Sequence, residues 1–167
     1  MFELKLLSKS AIPAALAQAE RYRLLSEPGE AESICLDVLR VVPDHQHALV
    51  TLLLALTDQF PQGSVARPMA AAEQAAARLT DEYKRLYYSG IIRERRGKAE
   101  LLINRPGANR AVHEWLREAM SWYERAEAIR PAGNDEALLR WNTCARILTD
   151  LPANDPDIPA FHALQSE

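Results

Sequence analysis

The chain is poor in the residues that build sheets, disulfide scaffolds and membrane spans. Of its 167 residues only 6 are Gly and 2 are Cys, and aromatic side chains make up 7%. Val, Ile and Thr are sparse, so few positions suit a pleated, half-buried surface, and a large β-sheet is not expected. Two cysteines, Cys35 and Cys144, with no CxxC spacing do not staple a small secreted scaffold; a reduced, cytoplasmic chain is the expectation. The longest apolar stretch, around Ala48–Leu56, falls far short of the roughly 20 residues a membrane helix needs. The opening Met1-Phe2-Glu3-Leu4-Lys5 lacks a basic segment followed by an apolar run, so no secretion leader is expected either. Neither charge sign dominates. With 20 basic and 23 acidic residues the net charge is −3, and no nucleic-acid footprint is anticipated.

Ala, Leu, Arg and Glu are abundant, and all are strong helix formers. After an apolar arm through Phe2, Leu4, Leu6 and Leu7, helical spacing of apolar residues predicts seven helices. They run over about 11–25, with Ser8 or Ser10 as cap, then about 30–41, 46–57 and 65–79. The fifth starts at a Thr80 or Asp81 cap and reaches about 103. The sixth covers about 109–129, and the seventh runs from an Asn134 or Asp135 cap to about 148. Pro and Gly clusters separate them: Pro28-Gly29, Pro43, Pro61-Gln62-Gly63, Pro106-Gly107 and Pro131-Ala132-Gly133. The tail from Thr149 is expected to be irregular, with a turn of helix near 160–164.

The helices repeat. Ala31, Cys35, Val38 and Pro43 recur in spacing as Ala119, Tyr123, Ala126 and Pro131. This run of small, large, small, then Pro resembles the second helix of a tetratricopeptide repeat, a unit of about 34 residues. In that frame Ala19 and Tyr22 take the small and aromatic positions of the first helix. The resemblance implies an all-α fold in one domain over 1–167: a right-handed superhelix of antiparallel helix pairs. Repeat 1 spans about 11–44, repeat 2 about 45–80 and repeat 3 about 81–133, with a closing helix and tail at 134–167. Repeat 2 is degenerate, because Leu53 stands where a small residue belongs. Repeat 3 carries a seventeen-residue insertion, Gly97 to His113, apolar at helical spacing on both sides of Pro106-Gly107. An elongated helical hairpin is therefore expected.

No motif points to catalysis. There is no GxSxG, GxxxxGK[ST] or GxGxxG, and His113-Glu114 does not extend to HExxH because position 117 is Arg. Asp44, His45 and His47 read as polar turn residues and not as metal ligands, and both cysteines as core thiols. No enzyme activity, metal or cofactor is expected. Trp115, Ala119, Trp122, Ala126 and Ile129 form one face of the sixth helix, read as core, with Leu116, Met120 and Tyr123 beside it. Arg93, Arg95, Arg96, Lys98, Arg105 and Arg110 make a basic cluster with Glu94 and Glu100 interleaved. It reads as a self-paired helix face, with docking of an acidic peptide or carboxylate as the alternative.

The resemblance also implies a function: a protein-binding scaffold whose first helices line a concave groove for a peptide or helix. Carried onto this chain, the groove positions are Leu16, Glu20 and Arg23, then Val50, Leu54 and Asp58. The third unit adds Lys84, Tyr87, Ile91, Glu94 and Arg95, and the closing helix adds Asn142 and Arg146. Chaperone-binding members clamp a terminal carboxylate with Lys and Asn, but Leu16, Glu20 and Thr51 occupy those positions here, so that clamp is absent. The expected partner is a protein or peptide, neither nucleic acid nor membrane. A self-assembling subunit and a small chaperone for one client protein stand as alternatives.

Overall fold

The computed structural model describes residues 2–103 and 107–151. Among them are seven α-helices and no strand: α1 (Ile12–Leu24), α2 (Pro28–Val41), α3 (Gln46–Asp58), α4 (Ala66–Ala77), α5 (Glu82–Leu101), α6 (Ala108–Ala128) and α7 (Glu136–Asp150). Two short 3-10 turns, Lys9–Ala11 and Phe60–Gln62, precede α1 and follow α3. The expected tail helix near 160–164 lies outside the described residues, as do Asn104, Arg105 and Pro106. No helix is long and apolar enough to cross a membrane.

Local chemistry explains the helix ends. Pro28 opens α2, where a missing N–H costs nothing, so that helix begins two residues before the expected start. The His45 side chain accepts the Ala48 amide at the start of α3, and Asp81 accepts the Lys84 amide at the start of α5. Ser8 and Ser10 cap nothing; their hydroxyls face each other, and the 3-10 turn leads into α1. At α7 the cap position is Asp135, whose side chain makes no capping bond, and Asn134 before it accepts the Glu136 amide at 3.0 Å. Gly107 enters α6 at φ 76°, a left-handed conformation that suits a residue without Cβ.

Each helix packs on the next, and α3 also touches α1 and α5. The connections between neighbours are short, from three to seven residues where both ends are described. α3 sits at the centre, with Leu49, Leu53 and Leu56 all buried, each stabilising by about 1.5–3 kcal/mol relative to exposure. α5 and α6 have 20 and 21 residues, against 12–14 in α1 to α4. One core gathers α1 to α4 with Ile92 and Ala99 of α5; a second joins α5, α6 and α7. Leu54 and Tyr88 pack against both. In the N-terminal arm only Leu7 reaches the core, while Phe2, Leu4 and Leu6 stay exposed.

The residues of the repeated motif, Ala31, Cys35, Val38, Ala119, Tyr123 and Ala126, are all fully buried. The α5–α6 contact turns on two glycines. A Cβ on Gly90 would lie 2.5 Å from Tyr123 Cε1, and one on Gly97 would lie 3.0 Å from Leu116 Cδ2. The glycines are therefore sockets for Tyr123 and Leu116. This sets the buried face of α6 as Val112, Leu116, Ala119, Tyr123 and Ala126. The face expected from spacing alone is thus rotated: Trp115 and Trp122 are only half-buried and Ile129 is exposed.

Candidate peptide-binding face

Apart from Glu20, which pairs with His47, the residues assigned to a groove fall into four groups. Leu16, Ile91 and Glu94 lie in the interior, beyond a ligand's reach. Arg23, Asp58 and Arg95 are half-buried and joined to one another. Val50, Leu54 and Tyr87 are half-buried and apolar, with Lys84 exposed one turn before Tyr87. Asn142 and Arg146 line a separate, open depression on α7 with Thr149 and Asp150.

The first polar cluster ties α1, α3 and α5 together. Arg23 Nε donates to Asp58 Oδ2 at 2.7 Å. Arg95 Nη1 donates to the other Asp58 oxygen, to Thr57 Oγ1 at 2.7 Å and to the Leu54 carbonyl at 3.1 Å. That carbonyl lies near the C-terminal end of α3, where the helix dipole favours a cation, and it also accepts the Thr57 hydroxyl at 2.9 Å. Burial pulls the Arg95 guanidinium below its ordinary pKa and nearby Arg23 adds to this, while Asp58 opposes the shift.

The second cluster surrounds Glu94, 0% exposed. Tyr123 donates its hydroxyl to Glu94 Oε2 at 2.6 Å, and Lys98 and Arg140 donate to Oε1. A buried carboxylate is tolerable only when paired and hydrogen-bonded in this way. Burial raises the Tyr123 phenol, and the Glu94 charge raises it further. Burial works against the Arg140 charge, but Glu94 and the phenols of Tyr87 and Tyr123 outweigh it and hold Arg140 above its ordinary value. Glu94 thus links α5, α6 and α7.

Between the clusters, Tyr87 stacks on Tyr83 with ring centres 5.9 Å apart. It meets Tyr88 edge-on at 5.2 Å and Tyr123 at 6.0 Å. Burial raises the phenols of Tyr83 and Tyr88. The result is an aromatic and aliphatic strip from α3 to α5, bordered by fixed charges.

Every described member of the basic cluster has an acidic partner. Arg93 pairs with Glu73 and Glu118, Arg95 with Asp58, Arg96 with Glu100, Lys98 with Glu94, and Arg110 with Glu114. Arg105 lies outside the described residues. His47 binds Glu20 at 2.6 Å, joining α3 to α1, and among the described residues no group of His, Cys, Asp or Glu is placed to hold a metal ion. Cys35 and Cys144 are buried, and burial pushes both thiols up to about 12, far from a thiolate nucleophile.

Sequence reasoning missed the interior position of Glu94, because carboxylates ordinarily face water. A usable signal was Tyr123, a hydroxyl on the small-and-large motif of α6 that needs a buried partner. No known protein family, curated protein or solved structure matches the chain.

Proposed function

We propose that this chain is a tetratricopeptide-like adaptor, a right-handed superhelix of helix pairs that acts in the cytoplasm by holding a peptide or helix of another protein. The observation that carries this reading is the half-exposed apolar strip of Val50, Leu54 and Tyr87. Large apolar and aromatic side chains left partly open beside charges already paired are what an apolar peptide anchor recognises. The packing of α1 on α3 and of α3 on α5 supports it, since first helices that stack side by side create one continuous inner face. Arg23, Asp58 and Arg95 serve as a rigid rim, because their charges are occupied with one another.

The test is selection of binders from a random dodecapeptide display library on the intact chain, followed by fluorescence anisotropy. Selected peptides should carry apolar anchors. Leu54→Glu and Tyr87→Ala should each weaken them by roughly tenfold or more, about 1.4 kcal/mol, while circular dichroism stays helical. Failure to enrich any sequence, or affinity unchanged from the parent chain in both variants, overturns the reading.

A further inference from the structure

We infer that the cleft between α4 and α6, floored by α5, is a second binding site that takes an acidic peptide segment. The cleft has a volume of about 390 Å³ and shares no residue with the Val50, Leu54 and Tyr87 strip. α4 and α6 both pack on α5, and the α4 wall is built from Ala76 and Ala77, whose short side chains leave the space open. Arg85 and Arg93 rise from the floor, and Trp122 and Arg125 form the α6 wall.

The three guanidiniums differ in a way that selects the ligand. Arg93 is neutralised by Glu73 at 2.8 Å and Glu118 at 3.0 Å. Arg85 donates Nη1 to the carbonyls of Leu79 at 2.8 Å and Thr80 at 3.0 Å, which hold it in place without cancelling its charge. Arg125 lies 4.2 Å over the Trp122 ring. Among the described residues neither Arg85 nor Arg125 forms an ion pair. Two cations already immobilised by other contacts lose little freedom on meeting a carboxylate, to which a guanidinium fork donates two parallel hydrogen bonds.

Length and charge narrow the occupant. The floor runs along α5 from Glu82 to Arg93, about 16 Å at the helical rise. That is the span of roughly five extended residues and far more than one small anion fills. The Ala76, Ala77 and Leu86 surface suits apolar side chains between the acidic ones. A nucleic acid fits less well. Arg125 already covers the Trp122 face on which a base would stack.

The experiment titrates the full chain into three fluorescein-labelled probes, read by anisotropy: an octapeptide of alternating Leu and Glu, its Leu and Lys counterpart, and an eight-residue thymidine oligonucleotide. The Leu–Glu peptide should bind, and rising salt should weaken it. Arg125→Glu, on an exposed side chain, should reduce affinity roughly tenfold or more with an unchanged melting curve, and Arg85→Gln should act in the same direction. Leu54→Glu, on the inner strip, should leave this binding intact, so failure of one site is distinguishable from failure of the other. Equal binding by Arg125→Glu, equal or tighter binding of the lysine peptide or the oligonucleotide, or no anisotropy change with the Leu–Glu peptide at millimolar chain overturns the proposal.

Discussion

Gly90 shows how one missing side chain organises a helix pair. In a helix interior Gly is ordinarily worse than Ala by about 1 kcal/mol, so Gly→Ala usually stabilises. At Gly90 the sign reverses, because the new Cβ would meet the Tyr123 ring at 2.5 Å, and Tyr123 is anchored by its bond to Glu94. Overpacking of this kind costs about 1–3 kcal/mol, which outweighs the propensity gain. Gly90→Ala is therefore expected to lower stability by up to about 2 kcal/mol net of that gain. Gly29→Ala, where nothing lies within 4 Å, should raise it by up to about 1 kcal/mol. Urea unfolding of both variants checks the pair; equal and same-signed shifts would remove the socket. Nothing local in the sequence reveals that the neighbour of Gly90 is Tyr123.

At the scale of the element, helix positions were legible and helix orientation was not. Proline, glycine and capping residues mark starts and stops because their effects are local: Pro28, Pro43 and Asp81 act within one turn. The buried face of α6 is not local. Trp115, Trp122 and Ile129 satisfy helical spacing as well as Val112, Leu116 and Tyr123 do, and the choice rests on where α5 places its glycines. Elements are also joined by side chains distant in sequence. Glu32 of α2 accepts from Gln59, at the end of α3, at 2.7 Å and from Arg67 of α4 at 2.8 Å. The hydrogen bond from Arg67, helped by Gln59 and opposed by burial, holds the Glu32 carboxyl below its ordinary value. A folded-state pKa below the unfolded one means that this contact stabilises fully above the unfolded value of 4.5 and is lost as pH falls through the folded value. Arg67 is largely solvent-exposed, so screening keeps the contribution to roughly 0.5 kcal/mol. Arg67→Ala should lose about that much at pH 7 and nothing at pH 2. Thermal melts at both pH values measure it, and a difference that persists at pH 2 would refute the assignment.

Across the whole molecule, stability is unevenly spread. α3 buries eight of its 13 residues and touches helices on several sides, whereas α7 buries only Ala137 and Cys144 and packs mainly on α6. Segments with few buried contacts open at lower free energy than the core. Hydrogen exchange should therefore show α7 amides exchanging at least about tenfold faster than those of α3; uniform protection would mean that the chain opens only as one unit. The candidate sites were legible only in part for the same reason. Val50, Leu54 and Tyr87 could be named from the repeat frame. Ile91 and Glu94 left the surface because α6 and α7 cover them, and the outer cleft arises from helices that meet only in three dimensions. The socket pairs carry one further consequence. Gly90 and Gly97 stand seven residues apart on α5, and their guests Tyr123 and Leu116 stand seven apart on α6. One residue inserted between the glycines would turn the second socket about 100° around the helix, away from Leu116. Length changes in this stretch are tolerable only when mirrored on the facing helix, so the hairpin carries its own ruler, and descent with insertion or deletion here has to proceed in matched steps.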